Sequence, residues 1–272
     1  MKEYKMEKDV LIKRSIIKKF RPQIWHKFVK AINDYELIGP NDKIAVCISG
    51  GKDSFLLALC LDELQKHGNI PFELKFIIMN PGYTEETLIK IKNNLELFKI
   101  QATIFESPIF KIVKDEKNPC FLCAKMRRGY LYDCAKKLGC NKIALGHHFN
   151  DAIETILLNM IYNGKYAGML PKLKSDNFDD MELIRPLYLI KEKDIIAWKN
   201  YNNLEFIDCA CLVTKKKLGK RKEIKKLVEQ LNVYLKDADR NIFNSLSNVN
   251  LDKVICYQCD GNKVSFLKDY DK

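Results

Sequence analysis

The sequence has no long apolar run. No stretch approaches the roughly 18 apolar residues that a membrane-spanning helix needs, and residues 1–19 are rich in lysine without the apolar segment of a secretory signal. Internal repeats and low-complexity linkers are also absent. We therefore expect a globular, cytoplasmic protein that does not act at a membrane.

Acidic residues are fewer than basic ones. The 272 residues include 47 Lys or Arg and 35 Asp or Glu, a formal net charge of +12. Residues 1–40 hold ten basic and five acidic residues, and residues 212–240 hold ten and four. These segments favour a polyanionic partner such as nucleic acid, but solvated lysine-rich helix faces explain them as well, so charge alone leaves both interpretations open.

Strand-like and helix-like segments alternate along the middle of the chain. The strand-like segments are Lys43–Ser49, Leu74–Asn80, Ala102–Ser107, Lys142–His148 and Leu183–Leu187. The helical patterns cover Arg21–Tyr35, Phe55–His67, Glu85–Phe98, Ala124–Leu138, Asp151–Tyr162 and Glu192–Tyr201. This order predicts an α/β fold with a doubly wound, mostly parallel, five-stranded sheet.

The ends of the chain have a different pattern from the middle. We expect a basic helical N-terminal extension over residues 1–40, a catalytic domain over 41–212, and a C-terminal tail over 213–272. The tail contains a basic amphipathic helix, Lys220–Leu235, and a hairpin that turns at Asp260 and Gly261.

Polar motifs follow the predicted strands at their carboxyl ends. Ser49–Ser54 follows the first strand, Asn80 the second, the Cys120 region the third, and His147–Asp151 the fourth. Ligands bind at this edge of an open parallel sheet. These distant segments are therefore expected to share one crevice.

The segment SGGKDS, Ser49–Ser54, forms a glycine turn between a strand and a helix. Gly50 and Gly51 let an anion approach the main-chain amides, and the helix directs its free N–H groups to the same place. Lys52 adds a positive charge, and Asp53 would orient either a bound magnesium ion or the turn itself. Val46 and Asp53 stand where a Walker loop requires Gly and Ser or Thr; the segment instead resembles the PP-loop of the ATP pyrophosphatases.

The sequence contains ten cysteines without an export signal, which favours reduced thiols, some of them metal ligands. Cys120 and Cys123 form a CxxC, and Cys209 and Cys211 lie far along the chain. A CxxC alone is compatible with zinc, if two more ligands exist, or with redox chemistry. With one distant cysteine it suits a [4Fe-4S] cluster that has one open iron.

Several motifs in order resemble the tRNA 2-thiocytidine synthetase family of PP-loop sulfur-transfer enzymes. They are SGGKDS, PCFLCAKMRRGYLY, KIALGHHFNDAIETILLNMIY, MLPKL and IRPLY, within residues 42–211. The resemblance implies an enzyme that binds ATP, Mg²⁺ and a [4Fe-4S] cluster.

The resemblance also implies roles for individual residues. The ATP phosphates would be held by Ser49, Gly50, Gly51, Lys52, Asp53 and Ser54, in a crevice lined by Gly146 and His147. The cluster ligands would be Cys120, Cys123 and Cys209, with Cys211 as the alternative third ligand. The catalytic residues would be Lys52, Asp53, Cys120, Cys123 and Asp151.

Two departures from the family pattern stand out. Asn150 replaces the first acid of the family's GHHxDD motif, which leaves Asp151 as its carboxylate. The segment CACLVTKKKLGK replaces the CxxC typical of bacterial members and leaves Cys209 and Cys211 as alternatives for the third ligand.

The remaining cysteines fall outside the pattern. We expect Cys47, Cys60, Cys134 and Cys140 to be small buried residues within strands and helices. The tail CxxC, Cys256 and Cys259, is interpreted as structural or incidental rather than metal-binding.

The function that the resemblance implies is ATP-dependent thiolation of tRNA, with cytidine giving 2-thiocytidine. AMP transfer to the pyrimidine oxygen would release pyrophosphate, and sulfur from a cysteine-derived donor would then replace the oxygen. Arg127 or Arg128 would steady a phosphate, or be plain surface residues. One alternative is the same fold acting on a small thiopyrimidine, by thiolation or desulfuration; another is a nucleotide-binding protein with structural zinc. A homodimer is left open.

Overall fold

The computed structural model describes residues 7–112, 119–207 and 219–270. Its centre is a six-stranded sheet in the order β3-β2-β1-β4-β6-β5. The strands are β1 Lys43–Cys47, β2 Glu73–Asn80, β3 Ala102–Glu106, β4 Lys142–Ala144, β5 Lys172–Lys174 and β6 Glu182–Ile184. All neighbouring strands pair in parallel except β5 and β6. The predicted doubly wound, mostly parallel sheet is confirmed.

Helices cover both faces of the sheet. They are α1 Lys8–Ile17, α2 His26–Asp34, α3 Lys52–His67, α4 Glu85–Leu97, α5 Ile109–Ile112, α6 Pro119–Lys137, α7 Phe149–Asn163, α8 Glu192–Tyr201, α9 Gly219–Tyr234 and α10 Ala238–Ser245. A π-helical turn, Arg21–Trp25, joins α1 to α2. None of the helices in the described ranges is long and apolar enough to cross a membrane.

The strand count and some boundaries differ from the prediction. The sixth strand, β5, has the sequence KLK, which is too short and too polar to show a strand pattern. Strand β4 ends at Ala144 rather than His148, and β6 ends at Ile184, two residues before Pro186, which has no N–H to donate to a ladder. Strand β3 is an edge strand and largely exposed, although its sequence suggested a buried one.

The two largest apolar clusters of the described residues hold helices against the sheet. The larger cluster contains side chains of α1, α2, α3, α4 and α8 and includes the fully buried Phe28, Phe55, Phe98 and Trp198. The smaller packs Tyr132 and other residues of α6 against β1, β4 and β6. Helix α6 therefore lies on the opposite face of the sheet from α3.

The strand order creates a switch point between β1 and β4. From β1 the chain proceeds outward through β2 and β3, and it then returns to place β4 on the other side of β1. Loops that leave the carboxyl ends of two such strands diverge and open a crevice. The glycine turn follows β1, and the segment His147–Asp151 follows β4, so both border this crevice.

The C-terminal helices dock on α7. Ile224 and Val228 of α9 are buried in a cluster with Phe149, Ile153 and Leu157 of α7. The apolar face of the basic helix is thus covered by the catalytic region. The hairpin also forms as expected, with β7 Cys256–Cys259 and β8 Asn262–Ser265 joined at Asp260 and Gly261, which both have positive φ.

Candidate active site

The glycine turn has the backbone that its sequence implied. Gly50 has a φ of +90°, in the region that favours glycine. A Cβ on Gly50 would lie 2.5 Å from Ile207 Cδ1 and 2.9 Å from Ile91 Cγ1. Gly51 then caps α3, which begins at Lys52. The first-turn amides of α3 therefore open towards the crevice, where they can bind an anion.

The hydroxyl groups of the turn bond to the turn itself. Ser54 Oγ accepts a hydrogen bond from the Ser49 N–H at 3.1 Å and donates to the Gly51 carbonyl at 2.9 Å. Ser49 Oγ lies 3.2 Å from Ser54 Oγ. Ser54 is buried, and its hydroxyl group stabilises the conformation of the turn.

Lys52 is held by carboxylates on two sides. Its Nζ lies 3.2 Å from Asp53 Oδ2 and 3.2 Å from Glu192 Oε1 at the start of α8. Burial would lower the pKa of Lys52, but the charges of Asp53 and Glu192 outweigh it and raise the pKa. Glu192 also pairs with Lys225 of α9 at 2.7 Å. Lys52 is therefore charged and positioned before any ligand arrives.

Asp53 carries a buried carboxylate oxygen, Oδ1, that has no hydrogen-bond partner among the described residues. The imidazole Nε2 of His148 lies 3.9 Å from this oxygen. Burial raises the pKa of Asp53, more than His148 and Lys52 lower it. An orphaned carboxylate oxygen that faces a phosphate-binding turn fits Mg²⁺, which prefers oxygen ligands and bridges to phosphates.

Asp151 is the second carboxylate of the crevice. Its Oδ2 accepts the backbone N–H of His148 at 2.9 Å, and its Oδ1 accepts from Arg221 Nη2 at 2.6 Å. Arg221 also donates from Nε to Glu154 Oε2 at 2.8 Å. Burial would raise the pKa of Asp151, but the charges of His148 and Arg221 outweigh it and lower the pKa. Asp151 is therefore ionised.

Gly146 lets the two loops meet. A Cβ at this position would lie 3.1 Å from both the Asp53 carbonyl carbon and the Ser54 nitrogen, which are backbone atoms that cannot rotate away. The next residue, His147, has a buried Nδ1 that no group in the described ranges pairs with by a hydrogen bond. Burial lowers the pKa of His147 to about 4, so its imidazole is neutral.

Asn150 has a structural role. Its Oδ1 accepts the backbone N–H of Glu192 at 2.9 Å and so caps the first turn of α8. Acceptance of an N–H needs an oxygen but no charge. The replacement of an acid by Asn150 therefore preserves the position of Glu192.

The sulfur side of the site is described only in part. Cys120 lies in the first turn of α6 and Cys123 one turn later, so their Cα atoms share a face of the helix. Cys123 is buried in an apolar cluster with Met79 of β2 and Ile109 of α5. Cys209 and Cys211 lie outside the described residues, and within those residues no group of three or more metal-ligating side chains assembles.

The cysteine spacing and surroundings fit an iron–sulfur cluster. Thiolates are its natural ligands, and the apolar cluster around Cys123 limits access of water. Ile207 is the last described residue before the segment with Cys209, and its N–H donates to the Gly50 carbonyl at 3.3 Å. The chain therefore enters that segment beside the glycine turn.

The other cysteines behave mostly as expected. Cys47 and Cys60 are buried in β1 and α3, and burial raises the pKa of both thiols. Cys134 of α6 is only half-buried, and Cys140 is buried in the turn after α6. Cys256 and Cys259 are exposed on the hairpin, which leaves their interpretation as incidental a prediction.

Comparison with known proteins identifies the family. The family model of the PP-loop domain matches residues 21–231. A tRNA-cytidine(32) 2-sulfurtransferase of Neisseria meningitidis is 38% identical over 235 residues, covering 85% of this chain and 73% of that protein. One from Syntrophotalea carbinolica is 37% identical, covering 81% of this chain and 86% of that protein. The chain belongs to this PP-loop sulfurtransferase family.

The PP-loop fold is also found in a solved structure. The U34-tRNA thiolase NcsA of Methanococcus maripaludis, solved with its [4Fe-4S] cluster, superposes with a TM-score of 0.64 at 22% identity. The match covers 85% of this chain and 81% of that one. The predictions of PP-loop membership, of the fold and of a transferase are confirmed.

The sequence did not predict the network of charged side chains around the PP-loop. Glu192, Arg221 and Lys225 reach the site from α8 and α9, far along the chain. Arg221 and Lys225 were visible only as part of a basic helix, and Glu192 only as an acid in a first helical turn. Nothing in their local pattern indicates their partners.

Proposed function

We propose that this chain transfers sulfur to carbon 2 of cytidine 32 in tRNA, in an ATP-dependent reaction. Its relatives at 37–38% identity carry that activity in their names. The observation that carries the proposal is the crevice between β1 and β4. There an anion-binding turn, a charged Lys52 and the carboxylates of Asp53 and Asp151 meet.

The chain's residues support activation of the base by ATP. The oxygen on carbon 2 of cytosine is a poor leaving group, and transfer of AMP to it, with release of pyrophosphate, makes it a good one. Main-chain amides around Gly50 and Gly51 bind the phosphates, and Lys52 offsets the charge that develops on the leaving pyrophosphate. Asp53 and Asp151 would hold Mg²⁺ against the same phosphates.

The cysteines would supply the sulfur. Cys120, Cys123 and Cys209 would hold a [4Fe-4S] cluster, with Cys211 as the alternative to Cys209. A bound cluster would supply the sulfur, taken from a cysteine-derived donor, that replaces the activated oxygen as AMP leaves. Cys123 lies among apolar side chains, which limit the access of water to its thiol.

The basic flanks would bind tRNA, although part of their charge is used internally. Lys13 pairs with Asp62 at 2.9 Å and Lys27 with Asp194 at 3.2 Å, which ties the N-terminal helices to the catalytic region. Arg221 and Lys225 are likewise held in the active site. The exposed lysines of α9, such as Lys222 and Lys226, remain available for phosphates. Residues 1–40 and 213–272 would thus flank a catalytic domain of residues 41–212.

The test is the 2-thiocytidine content of tRNA, measured by liquid chromatography and mass spectrometry in cells lacking this gene. The wild-type gene should restore the nucleoside, and Lys52→Gln should not. Lys66→Gln is the matched control, because Lys66 lies near the far end of the same helix and pairs there with Asp62 at 2.7 Å. Unchanged tRNA in the presence of the wild-type protein would contradict the proposal and favour a small thiopyrimidine substrate.

A further inference from the structure

Arg185 is a buried arginine without a carboxylate partner among the described residues. It follows β6 directly and is 8% exposed. Among the residues that the structure describes, its buried Nε has no hydrogen-bond partner, and no ion pair includes its guanidinium. Burial lowers the pKa of Arg185 to about 10. A guanidinium removed from water needs an anion to offset its desolvation.

Hydrogen bonds to the neighbouring loop use only some of the donors of Arg185. Its Nη1 donates to the Leu170 carbonyl, and its backbone N–H donates to the Pro171 carbonyl at 2.9 Å. Tyr188 holds the same loop by donating to the Met169 carbonyl at 2.6 Å. One side-chain bond leaves most of the five guanidinium donors unassigned.

The neighbours of Arg185 strengthen the demand for an anion. Arg128 of α6 acts on it as a like charge, which lowers its pKa further. His147, also within electrostatic range, is neutral and has an unpartnered Nδ1. Asp151 attracts Arg185, but its carboxylate is already bonded to Arg221 and to the His148 N–H. Positive charge therefore exceeds negative charge at this point.

The position of Arg185 separates it from the PP-loop. In the sheet β6 lies two strands from β1, which is a separation of about 10 Å. Tyr132, which also acts on Arg185, packs on the α6 face of the sheet. Arg185 thus lies near α6, the helix whose first turn contains Cys120, and follows a strand two places from the PP-loop strand. In the proposed reaction, the base that is activated and then thiolated would occupy this region.

We propose that Arg185, together with Arg128, binds a backbone phosphate of the substrate RNA beside the target nucleotide. This inference rests on the proposed function and names the residues that position its substrate. The ATP phosphates already have the amides of the PP-loop and Lys52, whereas within the described part of the chain no anion is assigned to Arg185 or Arg128. Arg185 offers the planar group of donors that suits a phosphate, and Arg128 is exposed on α6.

The test compares Arg185→Gln, Arg128→Gln and the charge-matched control Lys137→Gln. Lys137 lies at the far end of α6, 74% exposed, and pairs with Asp133. Full-length proteins are titrated with unmodified tRNA at several salt concentrations, and separately with ATP in the absence of RNA. Both arginine variants should weaken tRNA binding about tenfold or more. Each should also lower the slope of log K against log salt by about 0.7 to 0.9, with unchanged ATP affinity, and the double variant should lose less than the sum.

Other outcomes would overturn the inference. An unchanged salt slope in both arginine variants shows that neither contacts RNA phosphate, and weaker ATP binding instead assigns the site to ATP. Arg185→Gln could lose thermal stability while Arg128→Gln binds tRNA as the wild type does. That result would mean that Arg185 only supports the loop. If the wild-type protein thiolates tRNA but the arginine variants give one of these outcomes, the phosphate site is wrong and the proposed function stands. Wild-type protein that does not bind tRNA overturns the proposed function as well.

Discussion

Arg221 of the C-terminal helix α9 donates a hydrogen bond to Asp151 at 2.6 Å, inside the crevice between β1 and β4. The two residues are 70 positions apart in the sequence. The pair makes a basic helix, which the sequence offered as a nucleic-acid surface, part of the active site. Because Asp151 is also a magnesium ligand in the proposed mechanism, the docking of α9 and the state of the metal site are linked.

Replacement of Arg221 tests this link. Arg221→Gln leaves the carboxylate of Glu154, whose side chain is 8% exposed, without its partner. The free energy of unfolding should fall by about 1–3 kcal/mol, the cost of a buried group left unsatisfied. Urea denaturation measures the change. Lys222→Gln on the exposed face of α9 is the control and should change stability by less than about 0.5 kcal/mol; equal effects of the two variants would mean that the ion pair does not anchor α9.

Replacement of Asp53 by Asn and of Asp151 by Asn should change the stability of the folded protein in opposite directions. The pKa of Asp53 is raised in the folded protein, mainly by burial, so its ionised form disfavours folding once the pH exceeds the unfolded value. The pKa of Asp151 is lowered, because His148 and Arg221 outweigh burial. Its stabilising effect is present above the unfolded value and is lost as the pH falls through the folded one.

Melting temperatures of Asp53→Asn and Asp151→Asn at neutral pH and near pH 3 measure these effects. At neutral pH Asp53→Asn should melt above the wild type and Asp151→Asn below it, and both differences should shrink at the acidic pH. Both variants should lose thiolation activity. A lower melting temperature for Asp53→Asn at neutral pH would show that Asp53 is stabilised by its partners in the absence of ligand.

Gly146 tests the close approach of the two loops. In Gly146→Ala the new Cβ meets the backbone of Asp53 and Ser54 at about 3.1 Å, so one loop has to move. The free energy of unfolding should fall by about 1–3 kcal/mol, and ATP affinity should fall with it. Gly129→Ala is the control, because Gly129 lies within α6 and its new Cβ has no atom within 4 Å. That variant should keep its ATP affinity and gain up to about 1 kcal/mol of stability.

The cysteines can be tested by their iron content. Anaerobically purified Cys120→Ala and Cys123→Ala should lose bound iron, the visible iron–sulfur absorbance and sulfur transfer, while they keep ATP binding. Cys134→Ala, which removes a half-buried thiol from the same helix, should retain all of these. Iron content equal to wild type in Cys120→Ala would remove that residue from the ligand set, and a variant that still transfers sulfur would remove the cluster from the mechanism.

Much of the fold could be predicted because its signals are local. The strand, glycine turn and helix of Lys43–His67 follow from an apolar run, two glycines and a helical pattern. Strand β5 could not be predicted, because the three residues Lys-Leu-Lys are too few to show a strand pattern, and their pairing depends on β6 being nearby. The end of β4 was missed because Leu145 still bonds to β6 while Gly146 already turns towards α3.

The sequence by itself determined the anion-binding turn, because consecutive residues set its backbone and its charge. It also determined the CxxC spacing of Cys120 and Cys123, although the predicted helix began only at Ala124 and the structure starts α6 at Pro119. Only the tertiary structure decided which charges meet. Lys52 and Glu192 are 140 positions apart, and Arg185 lies far in sequence from Arg128. Ion pairing between distant residues depends on the positions to which packing brings them, and a single sequence contains no local signal for that.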